Sequence, residues 1–211
     1  MREYHDLLHV NHEKIDGIGP WLWIAEDWEG FRWPKEDWPG HKATWSKHIK
    51  KWDVCVQAGG LQGMYPRLLS EMFGLVYTFE PDPLHFFCLT NNCQKDNIVK
   101  MQMALGDKRQ LIDVEVPCTH NRGMGKVATG NKIPMTTIDC LRLNACDFIQ
   151  LDTEGYEYKI LEGALLTIEE FKPVISCEKK HGKEDVLSFL EVFGYEIVDQ
   201  SHSDTIFAVT R

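Results

Sequence analysis

Residues 54–82, VCVQAGGLQGMYPRLLSEMFGLVYTFEPD, constrain the fold more tightly than any other stretch of the chain. An apolar run over 53–56 opens into a loop with glycines at 59, 60 and 63. A helical pattern over 65–73 stops at Gly74, and a second apolar run, 75–79, ends at Glu80. Strand, glycine turn, helix and strand in some thirty residues form a βαβ unit, which requires parallel pairing and a right-handed crossover.

The remaining pattern extends that unit. Residues 83–94 read as a helix opened by proline, 98–103 as a strand, 111–116 as an alternating edge strand and 123–130 as a loop. A short helix is expected over 138–143 and a strand over 147–151. A helix over 156–171 follows, weakest at Gly163. A strand over 174–177, a helix over 184–193 and a hairpin of 195–199 with 205–209 complete the chain. The expected class is α/β and Rossmann-like: a mostly parallel central sheet, helices on both faces, and an antiparallel strand from the C-terminal hairpin.

Two zones differ in composition. All seven tryptophans lie between Trp21 and Trp52, among glycines, prolines and acids, so residues 1–52 read as an extension and 53–211 as the domain proper. The extension is open to two readings: aromatic faces forming a substrate lid, with Trp33 or Trp38 at the site, or large side chains packing an irregular segment onto the domain.

Composition narrows the partners. A net charge of −9 disfavours a partner held through phosphates. No apolar run is long enough for a bilayer span, and the polar N-terminus lacks a signal-peptide core, so no membrane and a cytoplasmic setting are expected. Seven cysteines, without a C-x-x-C pair, fit reduced thiols. His5, His9 and His12 share helical spacing but lack a matching cysteine or carboxylate set, so no metal site is expected.

Ligands of open α/β sheets sit beyond the C-terminal strand ends. The loop 57–63 lets a ligand approach the backbone, and Glu80, about twenty residues on, can accept hydrogen bonds from both hydroxyls of a ribose. Glu80 could instead cap the helix begun by Pro81 and Pro83. Glycines at 59, 60 and 63 do not make the G-x-G-x-x-G of a pyrophosphate-binding loop, and G-K-[ST] is missing, which demotes an NAD-type oxidoreductase. The loop is closer to the G-x-G-x-G of methyltransferases, where no pyrophosphate must be held.

A third signal, QLDTEGYE over 150–157, brings three carboxylates and a glycine to the same sheet edge. Capping accounts for Glu157; Asp152 and Glu154 are placed to orient a substrate hydroxyl or take its proton. Glu178 and His181, in CEKKH after the strand 174–177, are further candidate bases, and His181 reads equally as an exposed loop histidine.

Taken in order, QAGGLQGMY, FEPDP, ALGD, TTID and LDTEGYE resemble the successive motifs of the FkbM family of methyltransferases, from residue 54 to about 178. The resemblance implies S-adenosyl-L-methionine as cofactor and methyl transfer to a hydroxyl of a sugar or other small metabolite. It implies cofactor contacts at Gln57, Ala58, Gly59, Gly63, Tyr65, Glu80, Pro81, Ala104 and Asp152. The candidate catalytic residues are then Asp152, Glu154, Glu178 and His181. The chain departs from the family at Gln57, where aspartate is usual, and at Leu61, where asparagine is usual. A cofactor-binding or regulatory protein of the same fold is therefore a second reading. The expected partner is a small-molecule or glycan hydroxyl acceptor, with a homodimer open.

Overall fold

The computed structural model describes residues 7–178, 183–201 and 203–210. The chain opens with β1 (Leu8–Asn11) and β2 (Trp21–Ile24), an antiparallel pair, and then α1 (Trp28–His48). His9 thus lies on a strand, so the helical spacing expected of the histidines does not hold there; His5 lies outside the described residues. The βαβαβ half follows as β3 (Val54–Ala58), α2 (Met64–Leu69), β4 (Leu75–Phe79), α3 (Pro83–Asn92) and β5 (Ile98–Met101). Next come β6 (Ala104–Leu105), β7 (Gln110–Glu115), β8 (Lys126–Thr129) and β9 (Ile133–Thr136). The second half comprises β10 (Phe148–Leu151), α4 (Glu157–Glu162), α5 (Leu165–Phe171), β11 (Val174–Glu178), α6 (Lys183–Glu191), β12 (Tyr195–Gln200) and β13 (Asp204–Val209).

Seven strands form the central sheet in the order β12-β13-β11-β10-β3-β4-β5, with β13 running against its neighbours. The C-terminal hairpin therefore inserts its last strand inside the sheet. The chain leaves β3 toward β4 and β5, then returns to β10 on the other side of β3. That reversal opens a crevice between the ends of β3 and β10. At the opposite ends of these two strands Asp147 helps to set their register: its Oδ2 accepts the N–H groups of Asp53 and Val54 at 3.0 and 2.9 Å.

Strand alternation divides the core. Val56, Ala58, Ile149, Leu151, Ile175 and Phe207 face Ile160, Leu161, Ile168 and Leu190 of the later helices. On the other face Cys55, Val76, Phe148 and Ile206 meet Leu68, Leu69, Trp38 and Trp45. Full burial of one such side chain contributes about 1.5–3 kcal/mol. Phe31, Trp38, His41 and Trp45, spaced three, four or seven apart, put one face of α1 against this core. The helix forms despite Pro34 and Pro39, each of which removes one backbone hydrogen bond, because that buried stripe outweighs the local loss.

Three expectations are corrected. Residues 123–130 are not a loop: a 3-10 turn (Arg122–Met124) leads into β8, which pairs antiparallel with β7. Residues 111–116 are not an edge, since β7 lies between β8 and β9 in a second sheet of order β6-β9-β7-β8. The helix expected over 156–171 breaks at Gly163, where a β-carbon would collide with the Gly106 carbonyl. Asp139 then starts α5 by accepting Leu166 N at 3.0 Å and Thr167 N at 2.9 Å. All seven cysteines are free thiols. No helix among the described residues is long and apolar enough to cross a membrane.

Candidate active site

The loop after β3 is shaped by what surrounds it. Gly59 has φ +83°, and a β-carbon there would collide with the Asp152 carbonyl. One on Gly60 would meet Leu89 at 2.6 Å and Thr78 Oγ1 at 2.8 Å. Leu61 takes a left-handed φ of +46°, which aims its N–H at Glu80 Oε2, 2.7 Å away. The other oxygen, Oε1, accepts from Asp82 N at 2.8 Å. Glu80, 5% exposed, therefore bridges from the end of β4 to the glycine loop and keeps lone pairs for further donors. Capping of α3 falls to Asp82 instead, which accepts from Leu84 N and His85 N.

Gln57 is fully buried behind the loop. Its Nε2 donates to the carbonyls of Ala58 and Gly59 at 3.2 and 2.9 Å, and its Oε1 accepts from Thr78 Oγ1 at 2.6 Å. It braces the loop from below and does not line the cavity. Gly63 is likewise off the cavity, starting α2 at φ +90° with Leu89 and Cys93 against it.

A cavity of about 370 Å³ runs along the strand ends, in the size range of small-molecule sites. Its lining includes an apolar group, Phe79, Ala104, Leu105, Val114 and Val127, the last two from the β7–β8 hairpin. Glu80, Pro81, Asp82 and His85 line it with Ala58 and Gly59. A polar, mostly acidic group comprises Asp37, Tyr65, Asp152, Glu154, Glu178 and Ser203. Trp33 borders the cavity, whereas Trp38, 2% exposed, packs edge-on to Trp45 in the core.

The acidic group is electrostatically crowded. Burial raises the pKa of Asp152 well above the carboxylate range, reinforced by the charges of Glu178, Asp204 and Glu154. Burial also raises that of Tyr65, with Asp204, Asp152, Asp37 and Glu178 adding to it, so the phenol stays protonated. One oxygen from each of Asp152, Glu154 and Glu178 lies within 4.8 Å of the others. Three carboxylates this close could share a cation, a grouping that residue spacing did not reveal. Glu157 does different work: its Oε1 accepts from Thr153 N and Oγ1 at 2.8 and 2.9 Å and ties its own loop.

Of the residues read from the sequence, Ala58, Gly59, Tyr65, Glu80, Pro81, Ala104, Asp152, Glu154 and Glu178 line this one cavity. His181 lies outside the described residues. Sequence reasoning missed Asp37, His85 and Arg122. His85 could have been found, since it stands three residues after Asp82 on one helix face. Nothing local marks Asp37 or Arg122, which reach the cavity through tertiary packing of α1 and the hairpin.

A model of the methyltransferase FkbM domain matches residues 65–197, well over half of the chain. Among solved structures, the fold is similar to Methyltransferase FkbM from Methylobacillus flagellatus KT, at 21% identity and a TM-score of 0.53, over 74% of this chain and 43% of that one. It is also similar to Trm5b from Pyrococcus abyssi, at 15% identity and a TM-score of 0.53, over 95% and 54% of the two chains. The chain thus spans less than half the length of the Methylobacillus protein. No curated protein matches by sequence.

Proposed function

The chain belongs to the FkbM methyltransferase family, and from that premise we propose that its cavity binds S-adenosyl-L-methionine and that it methylates a hydroxyl oxygen of a sugar or other small metabolite. The observation that carries this reading is one cavity lined by an apolar group, a buried acid and a carboxylate cluster. The residues fit the cofactor. Phe79, Ala104, Leu105 and Val127 suit a flat adenine, and Glu80 retains acceptor capacity at Oε2 for a ribose hydroxyl. The close approach at Gly59 and Gly60 leaves backbone, not side chains, along the strand ends.

When bound, the cofactor supplies an electrophilic methyl group on a sulfonium. Everything else falls to the chain. Asp152 and Glu154 line the cavity beside Tyr65, where they would orient an acceptor hydroxyl and one of them would take its proton. Tyr65, held protonated, offers a hydrogen bond to the same acceptor. Carboxylates there also disfavour an anionic acceptor and suit a neutral polyol.

The two departures from the family pattern are compatible with turnover. Gln57 acts beneath the loop, where its amide satisfies two carbonyls and a hydroxyl. Residue 61 reaches Glu80 through its backbone N–H, which leucine keeps. Calorimetry with S-adenosylhomocysteine and NAD tests the cofactor, and transfer of labelled methyl to a panel of sugars and small alcohols tests the acceptor. Binding of the sulfur compound but not NAD, weakened strongly by Glu80→Ala, is expected. Absence of S-adenosylhomocysteine binding at millimolar concentration removes the reading.

A further inference from the structure

A circuit of hydrogen bonds and close contacts links Arg122, His85 and Asp27, which lie outside the FkbM motifs, to Glu80 and the glycine loop. Arg122, on the hairpin turn, stands with Nε 3.3 Å from His85 Nε2 and Nη2 3.7 Å from Asp82 Oδ2. A guanidinium has no acceptor, so His85 Nε2 must be the acceptor and the ring hydrogen resides on Nδ1. That Nδ1 lies 3.7 Å from Glu80 Oε1, and His85 is 3% exposed. Glu80 in turn accepts from Leu61 N in the glycine loop.

The return path passes through the N-terminal segment. The backbone N–H of Arg122 donates to Asp27 Oδ1 at 2.8 Å, and Asp27 is fully buried. Its Oδ2 accepts from Gln62 Nε2, next to Leu61 in the loop, while Gln62 Oε1 accepts from Ile24 N at 2.6 Å. Glu29 N–H also donates to the His120 carbonyl at 3.2 Å, pinning the turn that carries Arg122 to the start of α1. Hairpin, N-terminal segment, glycine loop and α3 are thus joined through two carboxylates, Asp27 and Glu80.

We propose that Arg122 and His85 are positioning residues that hold Glu80 in register for a bound ribose, with Asp27 closing the circuit to the cofactor loop through Gln62. The inference rests on the cavity being an adenosine-cofactor site. Arg122 fixes the imidazole tautomer, and the tautomer turns its hydrogen toward Glu80 Oε1, the oxygen that also accepts from Asp82 N, while Leu61 N holds Oε2. Both carboxylate oxygens are then held before any ligand arrives. Binding then orders fewer groups, and such preorganisation raises affinity.

The experiment is a double-mutant cycle read by calorimetry with S-adenosylhomocysteine, using Arg122→Gln, His85→Phe and Glu80→Gln in the full chain. Each of the first two is expected to weaken binding about three- to tenfold, the worth of one lost hydrogen bond. Combined with Glu80→Gln, neither should weaken it further, because both act through that carboxylate. Arg122→Lys, which keeps a donor, should recover part of the loss. Arg122 is a partly exposed turn residue, so Arg122→Gln tests the role even if His85→Phe unfolds the protein. Unchanged affinity in Arg122→Gln, or losses that add to that of Glu80→Gln, overturns the proposal. These results differ from failure of the cofactor reading, in which the unaltered protein binds no S-adenosylhomocysteine.

Discussion

The Asp152 carbonyl oxygen fills the space that a β-carbon on residue 59 would need, so the strand ends that carry the site touch through their backbones. Gly59→Ala meets two obstacles there. A side chain at φ +83° costs about 1–2 kcal/mol. The collision is with backbone at the end of β10, which cannot retreat without disturbing β3–β10 pairing. Denaturant unfolding should show a loss of at least about 2 kcal/mol, together with weakened S-adenosylhomocysteine binding. Gly40→Ala is the control: it lies in α1 with open space around it, and it should stabilise by about 0.5–1 kcal/mol.

Asp152→Asn should separate activity from stability. Removing a proton acceptor is expected to slow transfer about 10²–10⁴-fold, with cofactor affinity little changed. The stability effect has the opposite sign. Burial, then Glu178, Asp204 and Glu154, raise the folded-state pKa of Asp152, so the native state binds its proton more tightly than the unfolded chain. That advantage is fully present below the ordinary aspartate pKa of about 3.9 and is lost as pH rises through the folded value. At neutral pH the asparagine variant should melt higher than the parent, and the gain should disappear toward pH about 4. Thermal scans across pH check both halves, and an unaltered melting temperature at neutral pH refutes the electrostatic account.

The sheet and the strand-end cavity were legible because their determinants are local. Apolar runs, glycines and the acids at 80, 152 and 154 sit at strand ends that alternation and breakers locate. What was not legible is carried by long-range packing. The tryptophan segment read as an irregular extension, yet α1 forms there because Trp38 and Trp45 find the sheet face. The β7–β8 hairpin turn, with few apolar residues of its own, reads as loop until Val114 and Val127 gain a cavity to face. Gln57 shows the same limit in reverse. Its position in the motif is plain, but only the fold reveals that its side chain points beneath the loop.

The tryptophan segment should divide sharply under mutation. Trp45 is fully buried, and its Nε1 donates at 3.0 Å to Ser176 Oγ, which donates to Asp204 at 2.6 Å. Trp45→Ala therefore removes packing and strands a buried hydroxyl network, at a cost of about 3–5 kcal/mol. Trp33 is 42% exposed at the cavity, so Trp33→Ala should shift stability by less than about 0.5 kcal/mol. Its effect should fall on the KM for the acceptor instead. Equal destabilisation by the two substitutions rejects this division between packing and site.

Asp199 fastens α1 to the sheet edge at β12, and its contribution should titrate. Its Oδ2 accepts from Lys47 Nζ at 3.0 Å and lies 3.1 Å from His48 Nε2, while Oδ1 accepts from Gln200 N. His48, then the Gln200 N–H and Lys47, hold its pKa at about 2. Because the folded value lies below the unfolded one, the stabilisation is complete above about pH 4 and is lost as pH falls toward 2. The group is near the surface, so solvent screening limits the effect to within about 1 kcal/mol. Asp199→Asn should lower the melting temperature slightly at neutral pH. The difference from the parent should narrow as the buffer is acidified to about pH 3, and again in about 1 M salt, where screening acts within a few ångströms. A difference that stays constant across both series would assign Asp199 a packing role and not an ionic one.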